Sequence, residues 1–209
     1  MSMAENLTTI AENVPKVYEA GKKAECDRFW DAFQNNGNRT DYANAFSYFN
    51  FNDSIYNPKY PLRGVLNSTF VQSKVTDVKV PILNAREIRQ LFRWNSMTKR
   101  VPELNISEAT DVSSDPFYQA TALTDITLTG VLAKSLSFAY SPLNVVSMKS
   151  IISCLKDYNG TTSEHTYTIT FKSSAFAKLE AEGATAEYNG VACTWRELID
   201  NKKWNLTLA

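Results

Sequence analysis

Two hydrophobic patterns are superimposed between residues 42 and 145. Large aromatic residues recur at intervals of 24, 22, 25 and 21 positions, at Phe46, Phe70, Phe92, Phe117 and Phe138. An apolar residue follows four of these phenylalanines after five or six positions, at Val75, Met97, Leu123 and Leu143. Apolar residues then alternate at 78/80/82 and at 126/128. A period of two residues predicts short strands with one buried face.

The recurrence predicts units of ~20–25 residues, each with one strand and one turn that carries an aromatic side chain. A unit of this size cannot bury its apolar face alone, whereas stacked units can. We therefore expect an α+β protein whose centre is a right-handed, strand-rich, leucine-rich-repeat-like solenoid of about four or five irregular repeats. The alternative is chance recurrence, since the chain contains 11 phenylalanines.

One motif occurs twice within this pattern, as VTDV at residues 75–78 and as LTDI at residues 123–126. A phenylalanine, a gap of four or five residues, this motif and an alternating strand resemble the BspA-type leucine-rich repeat. That family is common in surface and phage-encoded proteins of gut bacteria, including phage tail-associated proteins. The resemblance covers about residues 42–145, although Pro81 and Pro102 interrupt it and the family's Gly-Cys and Ala-Phe signals are mostly missing.

Residues 147–209 carry their own periodicities. Apolar residues at three- and four-residue steps after Ser147, a predicted N-cap, indicate a helix over 147–158. Alternation predicts a strand over 166–171, and short helices are expected over 175–182 and 194–200. The segment also resembles the terminal module of many BspA-like proteins, although Lys203 stands where that module often has Gly. We interpret it as an α/β cap on the solenoid.

The N-terminus has a heptad-like spacing at Leu7, Ile10, Val14, Val17 and Ala24. Pro15 interrupts this spacing, so a second helix is expected to begin near Pro15 and to run to Gln34. The helix either caps the solenoid or associates with other copies of the chain, and both interpretations stay open. The predicted organisation is a helical arm at 1–40, a solenoid at 41–146 and a capping module at 147–209.

Charge and chemistry narrow the function. Lys plus Arg equals Asp plus Glu, 22 against 22, so the basic surplus of nucleic-acid-binding proteins is missing and no nucleic-acid partner is expected. No signal peptide is recognised, and no apolar run approaches the ~18 residues of a membrane span. His165 is the single histidine, three cysteines are dispersed, and nucleotide or calcium motifs are lacking. We therefore expect the protein to bind no metal and no cofactor and to have no enzymatic activity.

The remaining indication of function is a set of aromatic and amide side chains that could form a binding surface. Tyrosine, tryptophan and arginine are typical of binding surfaces, and the candidates are Tyr42, Tyr48, Phe49, Tyr56, Tyr60, Arg93 and Trp94. The alternative is that these side chains pack the interior. The first hypothesis is a phage virion or tail-associated protein that binds a protein or a surface glycan, or itself through the N-terminal helix. A bacterial surface adhesin and a phage-encoded inhibitor of a host protein are the alternatives, with the virion favoured over the cytoplasm as location.

Overall fold

The computed structural model describes residues 23–49, 56–161 and 166–209, and within them the chain forms four helices and nine strands. The helices are α1 (Lys23–Phe33), α2 (Val145–Ser153), α3 (Ser173–Glu180) and α4 (Trp195–Asn201). The strands are β1 (Leu62–Val65), β2 (Ile82–Glu87), β3 (Arg100–Asn105), β4 (Asp125–Thr129), β5 (Leu136–Phe138), β6 (Thr168–Phe171), β7 (Ala186–Tyr188), β8 (Val191–Cys193) and β9 (Asn205–Leu208). None of these helices is long and apolar enough to cross a bilayer.

The first four strands form one parallel sheet in chain order, β1-β2-β3-β4. Along β4 the buried side chains alternate as predicted, with Ile126 and Leu128 facing the core. Neighbouring parallel strands need a crossover connection of about a dozen residues or more. The three connections within this sheet each contain one phenylalanine of the predicted series, namely Phe70, Phe92 and Phe117.

The predicted fold class was wrong. The protein is an α/β protein with parallel sheets, and not an α+β leucine-rich-repeat-like solenoid. A second parallel sheet, β5-β6-β9, of which β5 alone lies within the repeating pattern, and the helices packed beside it make up much of the molecule. The spacing of the phenylalanines misled because consecutive parallel strands joined by crossovers also return at intervals of this length.

Phenylalanine rings run through the core as a stack. Centroid distances are 5.4 Å from Phe46 to Phe70, 5.0 Å from Phe70 to Phe92, 5.8 Å from Phe92 to Phe117 and 4.5 Å from Phe117 to Phe138. Phe171 and Phe176 continue the stack at 6.2 and 5.7 Å. All seven rings are buried, so the stack joins both sheets into one core.

The second sheet contains strands from both sides of the predicted boundary at residue 146. Leu136 of β5 pairs with Ile169 of β6, which lies beyond that boundary. Helix α2 closes the open edge of β4, because the Ser147 hydroxyl accepts from the Ile126 amide (2.8 Å) and the Ser150 hydroxyl accepts from the Leu128 amide (3.1 Å). Edge amides that are satisfied in this way cannot pair with a strand of another chain.

Helix α1 packs on the core. Trp30 and Phe33 are buried, and their rings contact Phe46 at 6.1 and 5.8 Å. The helix ends one residue before Gln34 and is followed by a 3-10 turn at Asn35–Gly37, close to the predicted stop. The heptad positions Leu7, Ile10, Val14 and Val17 lie outside the described residues, and Ala24 lies in the first turn of α1. Self-association through these positions stays a prediction.

Several predicted details are corrected. The N-cap of α2 is Asn144, whose side chain accepts from the Ser147 amide at 2.8 Å. Of the predicted alternating set 78/80/82, only Ile82 lies in β2. Met97 is exposed, and Thr98 takes the buried position beside it. The first and the third correction involve a short polar side chain that makes a hydrogen bond with the backbone, Asn144 with the Ser147 amide and Thr98 with the Val75 carbonyl, which apolar periodicity does not register.

Candidate binding surface

Three of the predicted surface aromatics lie in the core. Tyr42, Phe49 and Tyr56 are buried, and the Tyr56 ring contacts Phe46 at 5.1 Å. For these three residues the packing interpretation holds, and they are removed from the binding candidates. A side chain with no exposed surface cannot meet a partner unless the core opens.

Tyr60 is half-buried and belongs to a structural hydrogen-bond network. Its hydroxyl donates to Asp31 Oδ1 at 2.6 Å, and this bond is the main reason that the pKa of Asp31 lies below its usual value. The buried Gln34 side chain holds the backbone beside it, accepting from the Tyr60 amide at 2.9 Å and donating to the Tyr60 carbonyl at 2.7 Å. This network fixes the chain leading into β1 to the end of α1.

The other three candidates are accessible. Tyr48 is 61% exposed and Trp94 is 42% exposed, while Arg93 is half-buried. The Arg93 guanidinium carbon lies 4.5 Å from the centroid of the Trp94 ring and 5.2 Å from that of Tyr118. Cation–π contact with two rings orients the guanidinium and keeps both rings in place.

Tyr118 and Tyr140 extend this surface, and the sequence analysis missed them. Their rings meet edge to face at 5.1 Å, and Tyr140 is 40% exposed. A hydrogen bond with Tyr118 is the main cause that raises the pKa of Tyr140 above its usual value. We call Tyr48, Arg93, Trp94, Tyr118 and Tyr140 the aromatic ridge. The sequence did contain a signal for these residues, because each of them follows a phenylalanine of the stack by one or two positions.

The backbone of the turns directs these side chains outward. Tyr48 and Trp94 both have φ of +55°, and Gln72 between them has φ of +49°. A bulky residue in the left-handed region is strained and is an outlier among non-glycine residues. The turns are held together by backbone bonds from Tyr48 N to Val71 O (2.7 Å) and from Trp94 N to Tyr118 O (2.8 Å). The strain is therefore balanced by contacts between successive turns.

Asn95 fixes the turn that presents Trp94. It is fully buried, and its Nδ2 donates to the carbonyl of Phe70 at 2.8 Å. Its Oδ1 accepts from the amides of Met97 (2.9 Å) and Thr98 (2.8 Å). One amide side chain thus satisfies three buried or half-buried backbone groups on two turns, as buried polar groups require. The position of Trp94 is consequently well defined.

A cleft lies beside Trp94. Its volume is about 350 Å³, and it is lined by Gln72, Ser73, Lys74, Trp94, Ser96 and Met97. The lining combines the Trp94 indole and the Met97 thioether with hydroxyl, amide and ammonium groups. A site with an apolar face and a few convergent polar groups is typical of ligand-binding clefts.

The charge at this surface is positive. Neither Lys74 nor Arg93 forms an ion pair with another residue in the described parts of the chain. The Nε of Arg93 is buried without a hydrogen-bond partner. Two other arginines of this region do form ion pairs, Arg89 with Asp111 at 3.4 Å and Arg100 with Asp125 at 3.5 Å. Lys74 and Arg93 therefore give the cleft and the neighbouring part of the ridge a local positive charge.

Residues with catalytic or metal-binding chemistry do not converge elsewhere in the described ranges. Cys154 and Cys193 are free thiols, and burial raises the pKa of both, which favours the unreactive protonated form at neutral pH. No group of three potential metal ligands occurs among residues 23–49, 56–161 and 166–209. His165 lies outside the described residues. The aromatic ridge and its cleft combine exposed aromatic side chains with positive charge, and together they form the candidate binding surface.

Comparisons with protein-family models, with curated proteins and with solved structures found no match. The kind of partner that this surface takes must therefore be inferred from the chemistry of its own side chains.

Proposed function

We propose that the protein is a non-enzymatic binding protein that uses the aromatic ridge for attachment or assembly. The observation that carries the proposal is the pair of large exposed aromatics, Tyr48 and Trp94, held outward by left-handed backbone. Strain of this kind costs roughly 1–2 kcal/mol per residue and tends to persist where a side chain has a function. Tryptophan, tyrosine and arginine are also the residue types that dominate binding energy at interfaces.

The setting that we propose is a phage virion or its tail, where such a surface would contact a protein or a surface glycan. This part rests on the resemblance of the 75–78 and 123–126 motifs and of the C-terminal segment to BspA-like proteins. A bacterial surface adhesin and an inhibitor of a host protein are the alternatives. Immunodetection of the protein in purified phage particles tests the virion setting directly, and its absence from the particles would favour the alternatives.

Binding to intact gut bacterial cells tests the proposed role of the ridge. Fluorescently labelled wild-type protein is compared with Trp94→Ala and with Val191→Ala, which changes an exposed apolar side chain on β8 instead. Loss of a central tryptophan from an interface costs about 2 kcal/mol or more, so we expect Trp94→Ala to weaken binding by at least ~30-fold. Val191→Ala should bind like the wild type. Equal binding by Trp94→Ala would contradict the proposal.

Self-association through the N-terminal residues is a separate part of the proposal. Light scattering of the full chain is compared with that of a chain beginning at residue 23, which keeps Trp30 and Phe33 in the core. We expect the full chain to form a dimer or trimer and the shortened chain to be a monomer. If both chains are monomers, self-association is removed from the proposal, and the proposed role of the aromatic ridge is unaffected.

A further inference from the structure

The cleft beside Trp94 has the chemistry of a sugar-binding subsite. A pyranose ring presents a face of C–H groups, and the electron-rich face of an indole attracts such weakly positive hydrogens. Arg93 covers part of the Trp94 ring at 4.5 Å, and the indole also lines the cleft. The exposed side chains of Gln72 and Ser96 supply amide and hydroxyl groups at the same place, where sugar hydroxyls need donors and acceptors.

The unpaired cations add a preference for acidic ligands. Lys74 lines the cleft and is exposed, and the Arg93 guanidinium carbon lies 4.5 Å from the centroid of the Trp94 ring, which lines the same cleft. A carboxylate that meets an ammonium or guanidinium forms a charge-assisted hydrogen bond, which is roughly twice as strong as a neutral one. We propose that the cleft binds an acidic oligosaccharide, with one ring stacked on Trp94 and a sugar carboxylate on Lys74. This inference rests on the proposed binding function and names its ligand class.

The ridge is long enough for a chain of sugars. Tyr48 lies two turns before Trp94 and Tyr140 two turns after it, in a stack whose successive phenylalanines are 5.4 and 5.0 Å apart between Phe46 and Phe92. Neighbouring turns that are joined by backbone hydrogen bonds are separated by about 4.8 Å. The outer tyrosines therefore lie about 10 Å from Trp94 along the stack, where they would contact rings on either side of the central sugar.

The same charges argue against single-stranded nucleic acid. A polynucleotide carries a phosphate at every residue and is bound along a continuous basic groove. The positive charge here is limited to Lys74 and Arg93, while Asp115 lies close enough to influence the pKa of Tyr140 at the far end of the ridge. A ligand with sparse carboxylates fits this distribution better than a polyphosphate.

Calorimetric titration of the full chain tests the inference. The probes are a glucuronate-containing oligosaccharide and a sialylated oligosaccharide, each paired with the neutral chain of matching length. At least one acidic probe should bind about tenfold or more tightly than its neutral match. Trp94→Ala should weaken that binding at least tenfold, whereas Trp94→Phe, which keeps an aromatic face, should retain most of it. Lys74→Met should abolish the preference for the acidic chain, whereas Lys178→Met, an exposed lysine on α3, should not.

Three results overturn the inference. The first is that none of the acidic probes binds. The second is that acidic and neutral chains bind equally well to the wild type. The third is binding of an oligodeoxythymidine that depends on Trp94 while sugars do not bind.

If cells bind the protein through Trp94 and no saccharide competes, the ligand class is wrong but the proposed function stands. If Trp94→Ala binds cells like the wild type, both fail. Circular dichroism of each variant verifies that it is folded.

Discussion

Two regions of the molecule are stabilised by different kinds of interaction. In the sheet region, residues 41–49 and 56–129, bulky or polar residues take left-handed backbone at every turn, including Tyr48, Gln72 and Trp94. In the C-terminal region, residues 145–161 and 166–209, helices α2 and α4 begin with side-chain N-caps, and Asn189 and Lys203 are the non-glycine residues with positive φ in its described part. The sheet region tolerates strain because each turn is bonded to its neighbours, whereas the helices of the C-terminal region have to satisfy their own ends.

Removal of a ring from the middle of the phenylalanine stack should have the largest effect. Phe92→Ala should lower the free energy of unfolding by about 3–5 kcal/mol, because Phe92 is buried and stacks on Phe70 and Phe117 at 5.0 and 5.8 Å. Phe176→Ala at the end of the stack is the matched control, since among the described rings Phe176 stacks on Phe171 alone. Phe176→Ala should lower the free energy of unfolding by about 1 kcal/mol less than Phe92→Ala does, because it removes one aromatic pair fewer. Equal costs in urea unfolding would show that contact between turns adds nothing beyond burial.

The next effect concerns hydrogen bonds between turns. Asn95→Ala removes three bonds to the backbone of two turns and should cost about 3 kcal/mol, since each unsatisfied buried group costs roughly 1–3. Hydrogen exchange should accelerate at the turns of both Phe70 and Phe92. Asn95→Asp keeps both acceptor bonds but sets a carboxylate against the Phe70 carbonyl. Burial and this carbonyl raise the pKa of such a group, so the variant should regain stability as the pH falls. A stability independent of pH would contradict this account.

A helix cap in the C-terminal region is the local counterpart. Thr194 accepts from the Glu197 amide at 3.2 Å, and Glu197 Oε2 accepts from the Thr194 amide at 2.7 Å. Thr194→Ala should cost about 1 kcal/mol, the usual contribution of an N-cap. Faster hydrogen exchange should be confined to α4 and the adjoining β9. Acceleration that reaches the sheet region would show that the two regions do not differ in the way proposed.

The same distinction explains what the sequence could predict. The start of α2 was located within two residues and both ends of α4 within one, because amphipathic spacing and capping residues are local signals, whereas α2 ends five residues before its predicted end. The phenylalanine period identified five rings of the stack, but not Phe171, which pairs with Phe138 in the second sheet although it lies 33 positions further along the chain. The architecture was missed because strand spacing alone does not separate a stacked repeat from a parallel sheet with crossovers.

The candidate site was predicted in part for a related reason. Aromatic composition pointed to residues 42–60 and to Trp94, but it could not tell the buried Tyr42 and Tyr56 from the exposed Tyr48. The difference lies in the left-handed turn at Tyr48, and glycine, the usual sequence signal for such a turn, is missing there. Tyr140 could have been found from its position two residues after Phe138, once Tyr48 and Trp94 were known to share that offset from Phe46 and Phe92.

The smallest expected effect is the difference in stability between glycine and alanine variants at one strained position in each region. Trp94 in the sheet region and Lys203 in the C-terminal region have φ of +55° and +65°. Lys203 follows α4 in a Schellman arrangement, in which its amide donates to Asp200 O and the Trp204 amide donates to Ile199 O. At both sites the glycine variant should be more stable than the alanine variant by about 1 kcal/mol, because glycine adopts this backbone without steric cost.

The control for this comparison is Lys178 in α3, an exposed helical position where glycine should be less stable than alanine by about 1 kcal/mol. Trp94→Gly is especially informative, because it should gain stability over Trp94→Ala while binding equally poorly. That combination would show that the strained backbone is kept for the indole that it presents and not for the fold. If alanine and glycine are equivalent at Trp94 but differ at Lys203, the neighbouring turns of the sheet region stabilise the left-handed conformation themselves, and the argument from strain to function fails.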